Sequence, residues 1–229
     1  REKAAQMDEI ALLSAQERAE LFQETATQKS ISSVIAMEKD FWVCWALRRI
    51  FDPPLIEGMV FKGGTSLSKV YGAIDRFSED VDLSIPREAL GFGGTHDIKP
   101  EISRSKRDGL LREIREACES RISGQIRAEL TQRVYAALST SQKSGAWSVD
   151  VVEGDPGTLL FAYPPSLPAD TYGSAYIRPA VRLEFGGRNE VWPAEIHAVR
   201  PYCLEAFPAF SASPSCNVNV LAAERTLWE

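Results

Sequence analysis

A glycine pair between two short β-prone runs, followed by an Asp-x-Asp pair, constrains this chain more than any other feature. Gly58-Met59-Val60-Phe61-Lys62 reads as a strand, Gly63-Gly64 as a turn, and about Thr65 to Tyr71 as a short helix. Asp80-Val81-Asp82-Leu83-Ser84-Ile85 then alternates polar and apolar, the period of a half-buried strand. Strand, tight turn, helix and strand in so short a stretch lead us to expect a layered α+β or α/β domain.

The same stretch carries chemistry. Glycines let the backbone bend tightly and approach a ligand without a Cβ in the way. Thr65 and Ser66 add hydroxyls and Lys69 a cation, so Gly63, Gly64, Thr65, Ser66 and Lys69 together suggest a phosphate cradle. The spacing is not that of a P-loop. On a strand, residues i and i+2 point the same way with Cα atoms ~6.5 Å apart. Asp80 and Asp82 therefore share one face, while Val81, Leu83 and Ile85 share the other. Adjacent carboxylates repel unless a cation lies between them, and Mg2+ takes such ligands together with substrate phosphates. Alone, a Gly-Gly pair is a turn and an Asp-x-Asp pair a solvated strand face. Their order is what points to nucleotidyl transfer.

The flanking regions frame this segment. Residues 1–52 read as helical, with Ser14-Ala15-Gln16-Glu17 as a capping box and a second long helix from about Ser33 to Phe51, ended by Pro53-Pro54. Residues 101–120 read as a helix with a basic start, and 124–138 fit strand or helix equally. Turn signals at Ser144-Gly145 and Asp155-Pro156-Gly157 separate β-prone runs, and residues 175–185 and 191–199 read as strands. Pro201 to Pro214 reads as loop, and a last helix is expected from near Asn219.

Of the 229 residues, 26 are Lys or Arg and 32 are Asp or Glu, a net charge of −6. That argues against a surface coated in basic charge, but it allows a local patch. Lys99, Arg104, Lys106, Arg107, Arg112 and Arg115 form such a patch. With Glu101, Asp108, Glu113 and Glu116 among them, it reads first as a charged helix face and second as a seat for an RNA backbone. No apolar run is long enough for a membrane span, and the first residues carry no secretory signal. Cys44, Cys118, Cys203 and Cys216 show no Cys-x-x-Cys spacing and read as reduced, buried thiols of a cytoplasmic protein. His96 and His197 stand alone, so neither a His-Cys zinc site nor a Ser-His-Asp triad is indicated.

Gly63-Gly64 followed by Asp80-x-Asp82 resembles the signature of the polymerase-β-like nucleotidyltransferase superfamily, at a slightly longer separation than usual. The fuller string, Lys62-Gly63-Gly64-Thr65-Ser66-Leu67-x-Lys69 followed by Arg76-Phe77-Ser78-Glu79-Asp80-Val81-Asp82-Leu83, resembles the AbiEii-type toxin family. Glu38-Lys39-Asp40-Phe41-Trp42 and Glu224-Arg225-Thr226-Leu227-Trp228-Glu229 are similar to two further segments of that family, so the likeness spans about residues 38–229. It implies an α+β fold: a nucleotidyltransferase core of mixed sheet and flanking helices over 53–215. A helical segment packs on it over 1–52, and a C-terminal helical region starts over 216–229.

The resemblance further implies an Mg2+-dependent nucleotidyltransferase toxin of a toxin–antitoxin or abortive-infection system. It would take an NTP as substrate, an RNA acceptor such as a tRNA 3′ end, and a cognate antitoxin as partner. Asp80 and Asp82 would hold the metal, and Gly63, Gly64, Thr65, Ser66, Lys69, Arg76 and Ser78 the nucleotide. The superfamily expects a third carboxylate from a later central strand. Glu184 is the first choice, because it lies opposite the apolar Val181-Leu183-Phe185 face, and Asp150 is the second. Lys99, Arg104, Lys106 and Arg107 would meet RNA. The family carries a catalytic lysine directly after the last Glu, so a chain ending at Glu229 is expected to stop short of it. Two other readings stay open: modification of a protein or small molecule, and a non-catalytic nucleotide-binding module.

Overall fold

The computed structural model describes residues 5–74, 80–93, 98, 102–139, 146–172, 178–207 and 216–228. Three helices open the chain: α1 (Ala5–Leu12), α2 (Ala15–Lys29) and α3 (Val34–Phe51). Ser14 and Glu17 form the expected capping box, in which the Ser14 amide donates to Glu17 Oε2 at 2.8 Å. Ser33 caps α3. α3 is apolar nearly all round, so it must be enclosed. It lies between α2 and the sheet, with Phe41, Trp42 and Trp45 fully buried. Trp42 stacks on Tyr163 with centroids 5.3 Å apart, and Trp45 on Phe161 at 5.5 Å.

The remaining elements follow in chain order. β1 (Val60–Lys62), α4 (Gly63–Lys69) and β2 (Asp80–Ser84) come first, then a 3-10 turn at Arg87–Leu90. α5 (Arg104–Arg121) passes through a π-helical turn, Ile122–Ile126, into α6 (Arg127–Leu138). β3 (Ser148–Val152), β4 (Asp155–Ala162), α7 (Ala169–Tyr172) and β5 (Ala180–Gly186) come next. β6 (Ala194–Val199), α8 (Tyr202–Ala206), β7 (Cys216–Leu221) and α9 (Ala223–Trp228) complete the described chain.

The strands form one seven-stranded mixed sheet in the order β3-β4-β5-β2-β1-β7-β6. β2 runs parallel to β5 and β1 parallel to β7, and the other pairs are antiparallel. Strand alternation sorts the sheet into two faces. Val81, Leu83, Val181, Leu183, Leu159 and Phe161 point to one face and are buried in the core with α3 and the π-helical turn. Asp80, Asp82, Arg182 and Glu184 point to the other and are only half-buried. This is a mixed sheet with flanking helices, the arrangement of a nucleotidyltransferase-like core.

One open reading is decided and three local readings are corrected. Residues 127–138 are helical, because Leu130, Val134 and Leu138 repeat at helical spacing into the core. The β3–β4 turn falls at Glu153-Gly154, where Gly154 takes φ +76°, and Asp155-Pro156-Gly157 belongs to β4. Pro156 is tolerated at the strand's start, beside the point where the β3–β4 register slips. Asn219 lies in a strand: Cys216, Val218 and Val220 alternate inward, and the helix begins only at Ala223. Inside the expected 201–214 loop, Tyr202–Ala206 forms α8. The four cysteines are free and buried. Among the described residues, no helix is long and apolar enough to cross a membrane.

Candidate active site

Register assembles the site. Lys62 pairs with Asp82, Asp82 with Glu184, and Glu184 with Thr158, so β1, β2, β5 and β4 contribute one row across the polar face. One step along the strands, Asp80 pairs with Arg182, and one step the other way Ser84 pairs with Gly186. Two carboxylates from separate strands, Asp82 and Glu184, thus lie side by side next to a lysine.

Gly63 is indispensable to this row. It takes φ +76°, and a Cβ placed on it would lie 2.6 Å from Asp82 Cγ. Only glycine allows β1 to turn over the Asp82 carboxylate and start α4. The Thr65 hydroxyl then donates to the Asp80 carbonyl, tying α4 to β2.

Burial raises the Asp82 carboxyl to about 6, with the Glu184 and Asp80 charges adding to the rise and Lys62 opposing it. Glu184 is held from its own strand: Arg182 Nε donates to its Oε1 at 2.7 Å, while Arg182 Nη2 reaches Asp155 Oδ2 at 2.9 Å. Asp155 also accepts from the Thr158 hydroxyl at 2.7 Å. Hydrogen bonding to Glu184 raises the Arg182 guanidinium against a smaller desolvation penalty.

The crowding around Asp82 bears on whether a metal suits these residues. Asp80 and Asp82 offer hard oxygen ligands on one face, where like charges crowd Asp82, which suits Mg2+ completed by substrate phosphates. Among the described residues no group of three His, Cys, Asp or Glu side chains is arranged to hold an ion. Glu184 is engaged by Arg182 instead.

The expected phosphate cradle is only partly assembled. Gly63 and Gly64 lie at the row. The Thr65 hydroxyl is turned to the Asp80 carbonyl, and the Ser66 hydroxyl to the Gly63 carbonyl at 2.8 Å, so both residues are buried. Lys69 turns away from the sheet face. Its ammonium pairs with Asp40 Oδ1 at 2.6 Å and lies 3.5 Å from the Tyr202 ring centroid. Desolvation is the largest influence and acts to lower its pKa, but Asp40, Cys44 and Glu205 together outweigh it and the net direction is up. These three side chains brace α4 through partners inside the protein.

Asp150 lies on the edge strand β3, paired with Arg127 at 3.2 Å and separated from β2 by β4 and β5. Of the two candidates for the third carboxylate, only Glu184 neighbours Asp82. Arg104, Lys106, Arg107, Arg112 and Arg115 are exposed on α5. Arg76, Ser78, His96, Lys99 and Glu229 lie outside the described residues. His197 is on β6, its ring edge-on to Tyr71 at 5.2 Å and away from the carboxylate row.

Three contributors were not singled out from sequence. Lys62 and Arg182 sit at alternate positions to apolar neighbours, and that alternation is a signal that they share the carboxylates' face. Asp155 had been read only as a turn residue. A hollow of about 380 Å3 adjoins the row at its Ser84–Gly186 end, with Lys62, Asp155, Arg115 and Arg188 in its lining.

A mixed sheet that presents paired carboxylates on one face, under a glycine turn leading into a helix, defines a nucleotidyltransferase-like protein. Residues 45–229 match the family described as nucleotidyl transferase AbiEii toxin, type IV TA system, and the chain belongs to that family. The Glu38–Trp42 segment lies just ahead of the matched span. No curated protein matches the chain.

Proposed function

We propose that this nucleotidyltransferase toxin is an Mg2+-dependent enzyme that moves a nucleotide from an NTP to an RNA acceptor, with a tRNA 3′ end as the first candidate. The observation that carries this reading is the in-register Lys62–Asp82–Glu184 row beneath the Gly63 turn. Asp80 and Asp82 would hold Mg2+, which supplies charge neutralisation at the phosphates when bound.

The chain's own residues do the rest. The Gly63–Gly64 turn lets the triphosphate approach the row at its Asp80 end. Lys62, beside Asp82, offsets phosphate charge. The acceptor hydroxyl attacks the α-phosphorus in line: an O–P bond forms, the bond to the β-phosphate oxygen breaks, and pyrophosphate leaves with that electron pair. Asp82 and Glu184 flank the point of attack, and a carboxylate of this pair takes the hydroxyl proton. We place Arg76 and Ser78, from the same family string, on the nucleotide. The type IV system implies an antitoxin partner, and tRNA as acceptor implies the cytoplasm.

The test is incubation with each labelled NTP, Mg2+ and total tRNA. Label on tRNA that is lost in Asp82→Ala supports the reading. Label found only on protein or a small molecule sinks the RNA acceptor, and no transfer to any acceptor sinks the enzyme.

A further inference from the structure

The hollow beside the carboxylate row has a built frame. Arg188 and Arg115 face it from two sides. Arg87 donates to the Arg188 carbonyl at 2.6 Å and pairs with Glu190 at 3.0 Å, which pins the loop that carries Arg188. Arg121 donates to the Ala89 carbonyl at 3.0 Å, which pins α5 to the same 3-10 turn. Both cationic walls are therefore held by one brace. The acidic groups in the lining are engaged, Asp155 by Arg182 and Thr158, and Glu119 by Arg115 at 3.6 Å.

Direction is the second observation. Gly63 and Thr65 sit at the Asp80 end of β2, whereas the hollow sits at the Ser84–Gly186 end. An in-line displacement needs its attacking and leaving groups on opposite sides of phosphorus. If the leaving pyrophosphate lies at the glycine turn, the nucleophile comes from the hollow. The third observation is continuity. At about 100° per residue, Arg104, Arg107, Arg112 and Arg115 fall within an arc of roughly 140° on α5, four cations against Asp108 and the Arg115-paired Glu119 in the same arc, and the helix axis from Arg104 to Arg115 runs about 16 Å. Those four residues are exposed.

The geometry points to one continuous track, from the N-terminal half of α5 through Arg115 and Arg188, that seats the phosphate backbone of a single-stranded RNA acceptor end and delivers its terminal hydroxyl to Asp82 and Glu184. This rests on the RNA-acceptor reading above and adds the direction of entry and two residues outside the family motifs.

The test uses the full chain with Arg115→Gln, Arg188→Gln, the double substitution, and Lys29→Gln on α2 as a charge control outside the track. Binding of a short 5′-labelled single-stranded RNA is followed by fluorescence anisotropy across a salt series, and binding of a labelled NTP is measured in parallel. The double variant is expected to weaken RNA binding about tenfold and to flatten the slope of log K against log salt by about 1.4, as expected for two lost phosphate contacts. NTP binding should not change, and Lys29→Gln should resemble wild type. Unchanged RNA affinity and slope in the double variant overturns the track, as does weakened NTP binding with RNA unaffected, which assigns the hollow to the nucleotide. The RNA-acceptor reading fails separately, by absence of label on RNA in the transfer assay with wild type.

Discussion

Two carboxylate–cation clusters lie on opposite faces of the same sheet, and they behave as opposites. Asp40 and Lys69 are sealed on the covered face, with side chains 5% and 7% exposed, and Asp40 also accepts from the Tyr202 amide at 2.6 Å. Every polar group there has a protein partner, so the pair holds α4 against α3 and α8. Asp82, Glu184 and Lys62 sit half-buried on the open face, where like charges crowd Asp82 and its carboxyl is pushed up to about 6. A pair that satisfies itself is a brace. A row in which carboxylates crowd one another is where a cation has something to add. The sequence reading gave Lys69 to the substrate, and the structure gives it to Asp40.

The sharpest way to break this contrast is Asp40→Ala. It leaves the Lys69 ammonium buried without its partner and is expected to cost about 3–5 kcal/mol in urea unfolding, with activity lost only because the fold is lost. Asp40→Ala combined with Lys69→Met should recover most of that loss. If the single variant melts like wild type, the pair is no brace.

Gly63→Ala comes next. Its positive φ and the clash with the Asp82 carboxyl predict a loss of about 1–3 kcal/mol, with transfer falling further than stability does. A variant with wild-type transfer would refute the close approach.

Asp82→Asn should do the reverse of Asp40→Ala, abolishing transfer while keeping the fold. Because the folded pKa of Asp82 is raised, the stability this group contributes is fully present below its unfolded value near 4 and lost as pH rises through about 6. In metal-free buffer, thermal melts should therefore show Asp82→Asn more stable than wild type at pH 8, with the difference gone by about pH 4. A constant difference across that range would contradict the crowding. The smallest effect is expected from Asp150→Asn, whose exposed pair with Arg127 is worth no more than about 1 kcal/mol, with transfer unchanged. Loss of transfer there would return Asp150 to the site.

Local sequence was sufficient for much of this protein. The capping box at Ser14, the long apolar helix after Ser33, the strand alternation of Asp80–Ile85 and the outward face of Glu184 all follow from periods and caps set by a few neighbouring residues. Where local signals competed, the reading failed. The Ala-Glu-Arg-Thr-Leu run pulled the last helix back over Asn219, although Val218 and Val220 were needed as a central strand beside β1.

Sequence by itself therefore determined the class of the fold, its family, and which carboxylates face one way, because two-residue alternation and a glycine turn are local properties of the chain. Only the tertiary structure decided that Asp82 stands beside Glu184 and Lys62, that Lys69 is locked to Asp40, and that Arg188 meets Arg115 across a hollow. Those neighbours are set by strand order and helix packing between residues far apart in the chain, and no spacing along the sequence records which cation is left for a substrate and which one the core has claimed.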